Sequence, residues 1–114
     1  MRDHGARGSH PITALLDLLG ARWALRILWE LRDGPLRFRL LAEACGSAPA
    51  ASLNTRLAQL RRAGIVTRGP QGYALTPEGE ELGAVLLRLN AWAKDWQRAW
   101  TWQADDGALE AGNR

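Results

Sequence analysis

Between Ala50 and Leu82 the chain switches its hydrophobic period twice, and that order admits few architectures. Leu53, Leu57 and Leu60 recur at helical spacing, and Gly64 follows as a stop. Ile65-Val66-Thr67-Arg68 favours a strand, Gly69-Pro70-Gln71-Gly72 carries turn chemistry, and Tyr73-Ala74-Leu75 favours a second strand. Thr76-Pro77-Glu78 then opens another helix, with a capping hydroxyl, a proline at the first helical position and a carboxylate in the first turn. Helix, short hairpin, helix is the back half of a winged helix-turn-helix.

The residues before this stretch supply the front half. Pro11 to Leu19 is expected to form a helix ended by Gly20, with Ile12, Leu15, Leu16 and Leu19 on its apolar side. Arg22 to Arg32 is a second helix burying Trp23, Ala24, Ile27, Leu28 and Leu31, stopped by Asp33-Gly34-Pro35. Leu36-Arg37-Phe38 is expected as a short third strand beside the hairpin. Leu40 to Cys45 and Ala50 to Ala63 form the helix pair, joined by the turn Gly46-Ser47-Ala48-Pro49. The fold class is α+β and mainly helical: a winged helix-turn-helix with a small antiparallel hairpin wing and a long C-terminal dimerisation helix. The expected domains are a disordered extension at 1–9, a DNA-binding core at 10–76, a dimerisation helix at 77–102 and a disordered tail at 103–114.

With 114 residues the chain is one domain by length. No apolar run approaches the ~18 residues of a membrane span, and the first ten residues lack the apolar centre of a secretory signal. Cys45 is the only cysteine and has no internal disulfide partner, which suits a reducing cytoplasm. The net charge of +3 conceals an asymmetry. Residues 1–72 hold eleven Arg against five Asp or Glu (+6), and residues 73–114 hold four basic against seven acidic residues (−3). The basic part is therefore the part patterned as a DNA-binding unit. Arg outnumbers Lys fourteen to one, which favours forked phosphate contacts, though a GC-rich genome gives the same bias.

Three segments in this order resemble the HxlR family of bacterial winged-helix regulators: ALLDLLGARWALRILWEL from Ala14, Asp33-Gly34-Pro35-Leu36-Arg37-Phe38, and LNTRLAQLRRAGIV from Leu53. The resemblance covers about residues 10–100 and implies a homodimer on operator DNA. It also marks departures. His10 stands where members often carry a sensor cysteine, the wing from Gly69 to Gly72 is short, and Ala51 replaces a common basic residue.

With Leu53, Leu57 and Leu60 facing inward, Ala51, Ser52, Thr55, Gln59 and Arg62 point outward, and Asn54 and Arg56 flank them. The N-terminal part of such a helix reaches base edges, which makes Ser52, Thr55 and Gln59 the candidates for base reading. Gln pairs bidentately with adenine, and a Thr methyl suits thymine. Arg22, Arg37, Asn54, Arg56, Arg61, Arg62 and Arg68 are candidate backbone contacts, Arg56 also by the family resemblance. Each also has a plainer reading as a solvated residue or a surface ion pair of ~0–1 kcal/mol. Arg37 is a candidate partner for Glu43 or Asp33. Arg68, at the base of the wing, is the best placed for a minor groove.

A helix from Pro77 to about Trp102 would be ~39 Å long, more than a core of this size covers. Leu82, Val85, Leu86, Leu89, Trp92, Ala93, Trp96 and Trp100 form one apolar stripe about 120° wide. The simplest cover is a second copy, with Ile12, Leu16, Leu89, Trp92, Trp96 and Trp100 as the expected interface. Two recognition helices would then lie one DNA turn apart, ~34–36 Å, on a near-palindromic site. Trp29 and Leu25 lie on the outer side of the second helix and also need cover. Plain interface packing is the first reading, and a small aromatic effector held by Leu25, Trp29 and Trp92 is the second.

Cys45, in an Ala/Leu setting, reads as an inert small hydrophobe. His4 and His10 have no metal-ligand constellation around them, and no nucleophile-base pair, phosphate loop or dinucleotide fingerprint can be assembled. No cofactor and no enzyme activity are expected. The expected partners are double-stranded DNA and a second copy, without a membrane. The leading reading is a cytoplasmic homodimeric repressor. Two alternatives stay open: a winged-helix protein-interaction module without DNA binding, and a ligand-responsive repressor like those of the MarR or PadR groups.

Overall fold

The computed structural model describes residues 10–100. The elements are α1 (Pro11–Leu19), α2 (Ala24–Glu30), α3 (Phe38–Ala44), α4 (Ala50–Arg62), β1 (Val66–Gly69), β2 (Gly72–Leu75) and α5 (Pro77–Ala99). They fall into two compact units, one ending at Gly83 and one beginning at Ala84. The expected extension at 1–9, the tail at 103–114 and Trp102 lie outside the described residues.

The first unit is built on one apolar stripe from each helix. Leu53, Leu57 and Leu60 recur at four- and three-residue steps, so α4 presents all three on one face, and all are buried. Ala24, Ile27, Leu28 and Leu31 do the same along α2, and Leu41 and Cys45 along α3 and its cap. Helix α2 packs on α1, α3 and α4, and α4 packs on β1. Ile65, Val66 and Tyr73 close the core from the hairpin side.

Gly64, in the left-handed region at φ 78°, ends α4. The Ile65 N–H bonds the Leu60 carbonyl at 3.0 Å and the Gly64 N–H bonds that of Arg61 at 3.0 Å, a Schellman closure with Leu60 and Ile65 both buried. Thr76 joins this corner to the next helix. Its hydroxyl donates to the Gly64 carbonyl at 2.6 Å and accepts from the Gly79 N–H at 3.0 Å, capping α5. The hairpin pairs Val66 with Leu75 and Gly69 with Gly72, leaving Pro70 and Gln71 as a two-residue tip.

Three local expectations are corrected. Helix α2 is shorter than Arg22–Arg32, because Trp23 takes φ 76° and stands as its N-cap, half-buried rather than in the core. Leu31 is buried as expected but already serves as the C-cap. The third strand shrinks to one bridge, Leu36 with Tyr73, because Arg37 turns into the N-cap of α3 and Phe38 is already helical. On α1, Leu19 is buried, and Ile12 and Leu16, expected at an interface with a second copy, are exposed.

Candidate nucleic-acid interface

Cys45 to Pro49 turns α3 into α4, with Gly46 and Ser47 at φ 78° and 61°. No side chain caps α4, so the N–H groups of its first turn carry their partial positive charge outward. Ala51, Ser52, Asn54 and Thr55 are exposed along this half of the helix. Burial of the three leucines fixes that orientation. The geometry presents small polar side chains and bare amides at the leading end, as a recognition helix requires.

The basic residues divide into engaged and unengaged groups. Arg61 and Arg62 are exposed in the last turn of α4, and Arg37 is exposed at the N-cap of α3. None of these three guanidinium groups has a partner among the described residues. The ion pairs suggested for Arg37 belong to other residues: Glu43 pairs with Arg39 at 3.2 Å, one helical turn away, and Asp33 lies 3.7 Å from Arg32. Arg68 projects from β1 with its guanidinium 5.5 Å from the Tyr73 ring centre. That contact holds a cation at the wing base without neutralising it. Arg22 lies over the Trp23 ring at 4.8 Å.

Arg56 and Gln59 differ from the rest. Both are half-buried. Arg56 Nε donates to the Arg22 carbonyl at 2.7 Å, and its Nη1 donates to Gln59 Oε1. Arg26, which the helical wheel does not single out for DNA, is likewise engaged with the protein. It donates to the Ala44 carbonyl at 2.8 Å and pairs with Glu30 at 2.8 Å. Spacing alone flags Arg26 and Glu30 as a helical i,i+4 pair. The bond to Ala44 crosses helices and has no sequence signal.

The apolar candidates are exposed. Trp29 is 43% exposed, and one face of its ring is covered by Arg32, 3.7 Å from the centroid, so its own neighbour supplies part of the expected cover. Leu25 beside it is exposed. In the second unit, Leu89, Trp92, Trp96 and Trp100 are all exposed, with Trp92 at 60% and Trp96 at 51%. Trp92 and Trp96 stack nearly parallel, 9° apart with centroids 6.2 Å apart, one turn apart on the helix.

Cys45 is buried beneath the helix-turn-helix. Burial pushes its thiol pKa up, Glu30 adds to the shift and Arg26 opposes it. A thiol held neutral is a poor nucleophile.

Known proteins share this geometry. A family profile described as HxlR-like helix-turn-helix matches residues 18–100. The chain belongs to that family. It is a DNA-binding transcription regulator and not an enzyme. HxlR-like relatives include an HTH-type transcriptional regulator of Synechocystis, 33% identical over 93 residues that cover 75% of this chain and 69% of the relative. YodB of Bacillus subtilis is 37% identical over 83 residues, 67% of this chain and 74% of YodB. The crystal structure of quinone-bound YodB superposes with a TM-score of 0.70 at 35% identity, covering 75% of this chain and 97% of that one. A MarR-family regulator of Enterococcus faecalis superposes with a TM-score of 0.72 at 28% identity, covering 80% and 89%. No helix among the described residues is long and apolar enough to cross a membrane.

Proposed function

We propose that the chain acts as a homodimeric repressor, laying one α4 from each copy into successive major grooves of a near-palindromic operator. The observation that carries this is the bare aromatic face of α5. Leu89, Trp92, Trp96 and Trp100 stand exposed along one side of a helix about 34 Å long. A monomer rarely leaves such a stripe in water, and a two-fold partner with the same stripe is the simplest cover. Ile12 and Leu16 of α1 are exposed as well, and we assign them to the same interface. Ser52 and Thr55 read base edges, and Arg37, Arg61, Arg62, Asn54 and Arg68 take phosphates. A DNA target implies the cytoplasm. Light scattering of the purified chain, followed by a salt titration on random duplex DNA, tests the reading. A dimeric mass and steep loss of affinity with salt support it. A protein-interaction module would show no duplex binding at any salt concentration.

One observation favours a ligand-responsive form of the same reading: YodB has been crystallised with quinone bound. Here Trp29 and Leu25 offer an exposed apolar surface beside the Arg32 guanidinium. His10 stands where the family resemblance would put a sensor cysteine, and Cys45 is buried, so a flat effector would bind without a covalent bond. Titrating quinones and aryl acids against Trp fluorescence tests this. Quenching that a Trp29→Ala variant abolishes supports an effector site, and an unchanged signal at high micromolar levels removes it.

A further inference from the structure

Among the candidate DNA contacts, Arg56 alone spends its guanidinium on the protein itself in two directions at once. Trp23, at φ 76°, leaves the helical track. The Arg22 carbonyl therefore lacks the amide that a continuing helix would bring to it four residues on. Among the described residues its partner is Arg56 Nε, at 2.7 Å, thirty-four positions later in the chain. A carbonyl left without its intrahelical amide takes a side-chain donor here, and a left-handed aromatic residue needs something to hold it there. The same guanidinium reaches along α4 from Nη1 to Gln59 Oε1. A guanidinium only donates, so it is the amide oxygen of Gln59 that faces it. The amide nitrogen is then turned the other way.

We propose that Arg56 is a positioning residue and not a phosphate contact: it braces the recognition helix α4 against the turn that starts α2, and it fixes Gln59 as a hydrogen-bond donor at the DNA surface. This rests on the docking of α4 described above and deepens it. The sequence alone assigns Gln59 a bidentate contact to adenine, which needs Oε1 and Nε2 turned together to the base edge. With Oε1 turned to Arg56, Gln59 meets the base through its NH2 group alone. Guanine suits it best, because N7 and O6 are adjacent acceptors. Arg56 shapes specificity through Gln59, and Arg61 and Arg62 neutralise phosphate beside it.

Three readouts separate the brace from a phosphate contact. In Arg56→Gln the slope of log affinity against log salt on random duplex stays at the wild-type value, while Arg62→Gln lowers it by about 0.9. A comparable fall in Arg56→Gln, with an unchanged melting temperature, overturns the proposal. Should Arg56→Gln fail to fold, NMR of the wild-type chain decides instead. The Arg56 Nε–H exchanges slowly in the free protein and keeps its chemical shift when DNA is added; fast exchange in the free protein, or a large shift with DNA, overturns the brace. Sequences selected from a randomised duplex pool by wild type and by Gln59→Ala give the specificity half. The position that loses its preference in the variant is guanine in the wild-type set. Adenine there, or no change at any position, overturns donor-only reading. Were the wild-type chain to bind no duplex, the DNA reading would fall on its own, and the exchange measurement would still judge the brace.

Discussion

Single residues of the first unit are held by contacts that predict their response to substitution. At Gly72, φ is 110° and an added Cβ would run into the Leu36 carbonyl. Gly72→Ala therefore combines backbone strain with a clash against the one bridge that ties α3 to the hairpin. A loss of about 2–4 kcal/mol in urea unfolding is expected. Cys45 gives a pH prediction. Its pKa is raised in the folded state, so the folded chain keeps the proton that the unfolded chain releases near pH 9. Stability from this group is complete below that pH and declines as pH rises through the higher folded value. Cys45→Ala flattens this decline, and the wild-type thiol stays unreactive to alkylating reagents at pH 7–8 until the protein unfolds. At Arg62 the guanidinium is bare, and truncation to Ala leaves unfolding nearly unchanged while weakening DNA binding uniformly across sequences.

At the scale of elements, the capping corner behind the wing is the most consequential. Thr76 closes α4, the hairpin and α5 on one hydroxyl. Thr76→Val, close in shape but without hydrogen bonding, costs about 1–2 kcal/mol in denaturant unfolding. The same corner shows why much of the fold was legible in the sequence. Gly64, the Gly69–Gly72 turn and Thr76-Pro77 are local signals whose physics acts within a few residues. Accordingly α1 has the expected limits, and α4, β1, β2 and the start of α5 lie within a residue of theirs. The misplacements have non-local causes. Trp23 takes a left-handed conformation that no propensity scale assigns to it. Its neighbour's carbonyl finds a partner only when α4 arrives from far along the chain. The extended segment stops after the single Leu36 bridge to Tyr73, because Arg37 takes the N-cap of α3. The outward residues of α4 follow from helical period, and Arg56 and Gln59 stand at i,i+3 spacing on it, whereas the bond from Arg56 to the Arg22 carbonyl is a tertiary contact without a sequence signal.

For the whole molecule, the compact unit up to Gly83 holds the helix-turn-helix and wing, and the unit from Ala84 holds the exposed Trp92, Trp96 and Trp100. Burial of that stripe between copies is proposed to set the spacing of the two α4 helices. Trp96→Asp places a charge at the centre of the stripe, beside the Trp92 ring. It is expected to raise the dimer dissociation constant roughly 30-fold or more, read by sedimentation equilibrium, with the melting of the first unit little changed. Operator affinity falls with it, since each half-site is then bound singly. Paired recognition helices on DNA are tested most sharply by selecting bound sequences from a randomised duplex pool with the wild-type chain. The expected outcome is an inverted repeat with half-site centres one helical turn, about 10–10.5 base pairs, apart or a multiple of that. A single unrepeated motif, or an enriched pool without any motif, would rule the pairing out.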